Sequence, residues 1–164
     1  MLKTMLASAL LLTSTLASAG FEYTRSTTIR DELGGSFTMS AAGTLGEDNA
    51  TRLAEGAYTN FHFRNDAAAV LNGNAAREAA RDGDLVVVTY DGSLTLVTTG
   101  TPTGGSAPQS RTTNIAFTDL TVERAEEGST ISGAVLVNGQ SVDAAALPRP
   151  IKAAIVNALR LFRL

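Results

Sequence analysis

Between residues 21 and 142 apolar side chains alternate with Thr, Ser and Asn in short runs, and each run is cut by Gly, Asn or Asp. A period of two puts one face of a strand on a core and the other in water. Short runs at this spacing are satisfied by an antiparallel sheet that folds back on itself. Phe21, Tyr23 and Ile29 stand among polar residues, Phe37, Met39 and Ala41 alternate with Thr38 and Ser40, and Phe61 and Phe63 share a face opposite Asn60 and His62. The three valines 86–88 imply a strand covered on both faces. Asp91-Gly92, between that run and Leu94 and Leu96, is the strongest hairpin signal in the chain, since a tight turn needs positive φ.

Residues 100–110 (GTPTGGSAPQS) have no period and read as a loop. Strand patterning resumes through Ile115, Phe117, Leu120 and Val122, with a turn expected at Glu126-Glu127-Gly128 and a hairpin at Asn138-Gly139. Segments 47–56 and 74–83 are ambiguous; Asn74 and Gly83 frame the second as a short helix or a polar strand. Thr59–Phe63 and Val70–Gly73 are echoed by Thr113–Phe117 and Leu136–Gly139 at unequal spacing, as strand starts and turns alone would produce. The expected fold is all-β: an antiparallel meander, sandwich or partly open barrel-like curved sheet over residues 20–147.

The period changes after Pro148. With Pro150 suited to a first helical turn, Ile151, Ile155, Leu159 and Phe162 form a helical apolar stripe flanked by Lys152, Arg160 and Arg163. Residues 148–164 therefore read as a C-terminal amphipathic helix. It either covers the β domain or rests peripherally on an anionic membrane; at roughly 21 Å it is too short to span one.

Residues 1–19 have the form of a secretory leader: Lys3, an apolar run from Met5 to Leu16, then Ala17-Ser18-Ala19. Cleavage after Ala19 is expected, with export to the periplasm or the extracellular space. The chain has no Cys, so folding there rests on a hydrophobic core rather than on disulfides. With 13 basic and 16 acidic residues its net charge is −3, a balance that disfavours nucleic acid as a partner.

No residue set carries recognisable catalysis. His62 is the one imidazole available to a triad, and no G-x-S-x-G elbow accompanies it; an exposed or rim position is expected for it. Asp82, Asp84 and Asp91 are expected at turns on either end of one strand rather than as a glycosidase pair. Neither Asp82 and Asp84 nor Glu47, Asp48 and Asn49 reproduces a calcium loop, and Asn49-Ala50-Thr51 matches a glycosylation sequon. No cofactor, metal or catalytic residue is assigned. The expected function is that of an exported, non-enzymatic β-rich protein with a structural, surface or adhesion-type role toward an envelope or extracellular component. The alternative is a carrier that holds an apolar ligand or lipid inside the curved sheet, lined by Phe37, Phe61, Phe63, Ile115 and Phe117, with the C-terminal helix as its lid.

Overall fold

The computed structural model describes residues 21–46, 49–63, 66–82, 85–100, 107–125 and 128–163. Among the described residues nine strands follow one another: β1 (Phe21–Arg30), β2 (Ser36–Leu45), β3 (Asn49–His62), β4 (Ala69–Asp82), β5 (Leu85–Gly100), β6 (Gln109–Ala125), β7 (Gly128–Ser132), β8 (Ala134–Val137) and β9 (Gln140–Asp143). A 3-10 turn (Ala144–Ala146) leads to helix α1 (Arg149–Arg160), and a further 3-10 turn (Leu161–Arg163) follows it. The sheet is an open, fully antiparallel meander in the order β1-β2-β3-β4-β5-β6-β8-β9, with β7 paired to the second half of β6. This is the all-β architecture with a C-terminal helix that the alternation predicts. Segments 49–56 and 74–82 both resolve as strand, because long neighbours on each side accept their ladder hydrogen bonds.

Two expectations are overturned. Asp91-Gly92 does not turn the chain; both residues lie inside the 16-residue strand β5. They mark a bulge, where pairing with β6 shifts between Tyr90 and Gly92. The Asp91 carboxylate accepts the backbone N–H of Asp119 at 2.9 Å, and Asp119 holds φ at 53°. Gly92 is needed for space, since a Cβ there would come within 2.7 Å of Phe117 Cζ. At this bulge β6 leaves β5: beyond the Tyr90–Leu120 pair its second half pairs with β7 alone. That departure also corrects the reading of the valines, because Val86 and Val87 are 59% and 49% exposed. Asn138-Gly139, by contrast, does close the β8–β9 hairpin, with φ of 51° and 81° as a primed turn requires.

The segments 1–19, 47–48, 83–84, 101–106 and 126–127, and with them the leader and parts of the expected loops, lie outside the described residues. The strands that flank them pair as hairpins: Leu45 with Ala50, Asp82 with Leu85, Ala125 with Gly128.

The sequence echo has a structural counterpart. Asn60 donates its backbone N–H to the Asn72 side chain at 2.8 Å, and Asn114 does the same to Asn138 at 2.9 Å. The apolar neighbours pair alike, Phe61 with Leu71 and Ile115 with Val137. One local device thus clamps two different strand pairs.

Helix α1 covers one half of the sheet's inner face, burying Ile151, Ile155, Leu159 and, just beyond it, Phe162. Phe162 is fully buried, edge-on to Phe37 at 5.5 Å and to Tyr90 at 6.5 Å between ring centroids. A Cβ on Gly56 would lie 2.7 Å from Phe162 Cζ and 2.5 Å from Phe37 Cε2. The buried Tyr58 hydroxyl donates to the Ala158 carbonyl at 2.8 Å, satisfying one of the acceptors in the last helical turn. Burial pushes that phenol well above the usual tyrosine range.

Truncating Phe162 to Ala is expected to lower the unfolding free energy by about 3–5 kcal/mol, and Tyr58→Phe by about 1 kcal/mol, in urea titrations of residues 20–164. A Phe162→Ala loss below about 1 kcal/mol would mean that the helix does not hold the sheet.

Candidate functional site

His62, expected at an exposed or rim position, is instead mostly enclosed and paired with Asp31. Its Nδ1 donates to Asp31 Oδ2 at 3.0 Å, with the two side chains 12% and 3% exposed. The same oxygen accepts the His62 backbone N–H at 2.7 Å, while Oδ1 accepts those of Leu33 at 2.9 Å and Gly35 at 2.7 Å. Four donors fill the acceptor positions of one carboxylate. Burial works against ionisation of Asp31, but these hydrogen bonds, led by the His62 and Gly35 N–H groups, outweigh it and hold its carboxyl down at about 2, against an ordinary 3.8. Gly35 makes the arrangement possible, because a Cβ there would lie 2.0 Å from the Asn60 carbonyl and 2.4 Å from Asp31 Oδ2. The pair ties the β1–β2 turn to the end of β3. With its acceptor positions filled, Asp31 has none left for a substrate proton.

Of the five apolar positions expected to line a ligand cavity, four form solid core and Phe63 is half-buried. Phe37, Phe61, Ile115 and Phe117 are buried, and Phe63 packs against Phe61 at 5.2 Å. Asp91 is engaged at the bulge. Among the described residues no group of three or more His, Asp or Glu side chains is placed to hold a metal ion.

The alternation of the strands sorts charge by face. The face that carries Phe37, Tyr58 and Leu94 continues beyond the end of α1, and there it presents Arg25 on β1, Arg52 on β3, and Arg77 and Arg81 on β4. Glu22, Glu55, Glu78 and Asp91 occupy the opposite phase, and no Asp or Glu takes an inner register position in β1–β5. Arg52 lies opposite Ala79, and so sits diagonally between Arg77 and Arg81 across the β3–β4 pair. Such diagonal positions are roughly 7–8 Å apart, within reach of long side chains. Like charges at that spacing repel by about 2 kcal/mol per pair at an effective dielectric constant near 20.

The Nε groups of Arg52 and Arg77 are shielded from solvent and have no hydrogen-bond partner among the described residues. A buried N–H left without an acceptor costs about 1–3 kcal/mol. Small residues on the same face, Ala50 and Ala79, leave a hollow of about 230 Å³ that Tyr23, Leu45, Arg52, Arg77, Arg81 and Val86 help to line. Of its lining, Leu45 and Val86 are 52% and 59% exposed, and Phe21, the β1 partner of Leu45, is 67% exposed. A second groove of about 530 Å³ runs along the flank of α1, with Arg149, Lys152 and Arg160 on one side and Phe63 and Leu96 on the other.

No protein-family model matches the chain, and no curated protein or solved structure is significantly similar to it. Among the described residues no helix is long and apolar enough to cross a membrane.

The Asp31 pair makes a pH prediction. Its folded pKa lies below the unfolded value, so the unfolded chain binds more protons in that interval and stability falls as pH drops from about 4 to 2. The stability advantage of wild type over Asp31→Asn is expected to be full at pH 5–6 and to shrink across that window in urea titrations. A difference independent of pH would show that the carboxylate charge is not what the turn uses.

Proposed function

We propose that the protein is an exported, non-enzymatic interaction module that binds an anionic, partly apolar component of the cell envelope through the half of its sheet that α1 leaves uncovered. The observation that carries this reading is the sorting of charge: Arg25, Arg52, Arg77 and Arg81 on the inner face and acids on the outer face. In a chain of net charge −3, such sorting concentrates positive potential on one surface and steers anions to it. The exposed Phe21, Leu45 and Val86 beside the arginines give the same end an apolar rim, the mixture found at interaction sites. The leader-like residues 1–19 support export, and the saturated acceptor positions of Asp31 support a role other than acid–base catalysis.

A carrier role is favoured by one observation, the groove along α1 with its apolar wall and basic edge. A lipid co-purifying in native mass spectra, and displaced by substitutions at Phe63 or Leu96, would identify it.

The leading reading is tested by sedimenting the exported chain with isolated envelope membranes. Binding is expected at low salt, to weaken severalfold when ionic strength is raised to about 1 M, where screening acts over roughly 3 Å, and to fall with Leu45→Ser combined with Val86→Ser. A chain that remains monomeric in the supernatant at low salt refutes the proposal.

A further inference from the structure

We infer that Arg52 and Arg77 form a clamp for a phosphate-type oxyanion carried on an apolar chain, with the head seated over Ala79 and the chain running out across Leu45 and Val86. The inference rests on the reading of this end of the sheet as a binding face, and it names the ligand chemistry of that face.

Several independent features converge. The register places Arg52 opposite Ala79 and Arg77 opposite Ala54, so the two arginines project from adjacent strands beside the hollow that Ala79 lines, with Ala54 wholly buried beneath. Both Nε groups are turned away from solvent without an acceptor among the described residues. An arginine uses Nε together with one Nη as a planar fork for two oxygens of one anion. Two such forks from diagonal positions supply four N–H donors, and a tetrahedral oxyanion can meet two forks that approach from different directions. Tyr23 adds a hydroxyl nearby: it lies 3.0 Å from where a Cβ on Gly43 would stand, and Gly43 is the β2 partner of Arg52. No carboxylate holds an inner register position in β1–β5 to compete for the forks. The apolar part of the ligand is argued from Leu45 and Val86, which line the same hollow and stand about half exposed at its mouth.

A free phosphate and a lipid headgroup offer the forks the same oxygens, so the test separates them. Inorganic phosphate, dodecyl phosphate and a neutral dodecyl maltoside are titrated against the full exported chain by calorimetry, followed by vesicles of phosphatidylglycerol and of phosphatidylcholine. Dodecyl phosphate is expected to bind roughly tenfold or more tighter than inorganic phosphate, the maltoside to bind without help from the arginines, and phosphatidylglycerol vesicles to be preferred over phosphatidylcholine. Arg52→Gln and Arg77→Gln keep most of the side-chain stem while removing the fork, and each is expected to weaken dodecyl phosphate by roughly tenfold or more. Arg111→Gln, which removes one charge at the other end of β6, is expected to leave it unchanged. Unfolding midpoints at or above that of wild type, as relief of the like-charge repulsion predicts, would confirm that the variants fold.

Equal affinity for inorganic and dodecyl phosphate overturns the apolar part of the inference, and wild-type affinity in both clamp variants overturns the clamp. If the clamp variants still sediment with envelope membranes as wild type does, the clamp fails while the envelope role stands. If dodecyl phosphate binds through Arg52 and Arg77 but the chain ignores membranes, the clamp stands and the envelope role fails.

Discussion

The structure depends on how closely α1 can approach the sheet. Phe162 lies against Phe37 and Tyr90 over Gly56, where a single added carbon would collide with two rings. The row that crosses the strands at this point runs Met39, Gly56, Ala75, Gly92, Phe117, with three small residues at its centre. Small side chains there let the aromatic cluster sink onto the backbone, and dispersion contacts grow steeply as such gaps close. Tyr58 then fastens the helix with a hydrogen bond that the apolar surroundings strengthen.

That arrangement also decides where the protein is unfinished. The helix covers the half of the inner face that holds Tyr58, Leu94 and Ile115 and stops near Tyr90. Because β6 turns out of the main sheet at the same level, the far ends of β1–β5 continue with neither a helix above them nor a β6 partner for β5. The alternating pattern keeps its phase past this point, but arginine replaces leucine and phenylalanine on the inner side. A sheet stabilised at one end by dense packing can carry an energetically costly cluster of cations at the other, as proteins do where local stability is given up for binding.

Asp31 illustrates the opposite use of charge. Its four acceptor contacts lock a turn and a strand end together, and each of its partners is a donor supplied by the chain itself. Arg52 and Arg77 have donors that the described chain does not meet. The contrast between a saturated anion and unsaturated cations is what sets this structural group apart from the proposed clamp.

Much of the architecture was legible in the amino-acid order. Period-two alternation identified the all-β class and the inner-facing Phe37, Met39, Phe61 and Ile115; the helical stripe identified Ile151, Ile155, Leu159 and Phe162; Asn138-Gly139 identified a turn. These features are local, set by side-chain direction and by allowed φ values, so the sequence alone determined them. Asp91-Gly92 was misleading because Asp and Gly serve a bulge as readily as a turn, and the ladders of β4 and β6 decided between them. The arginine face carried one faint local sign: Arg52 and Arg77 stand in phase with Ala54, Gly56 and Ala75, cations where the pattern calls for core. Twenty-five positions apart in sequence, they meet only through the antiparallel register of β3 and β4, and they fall on the half of the inner face that α1 leaves uncovered. Pairing and coverage are long-range properties, and they were decided by the tertiary structure.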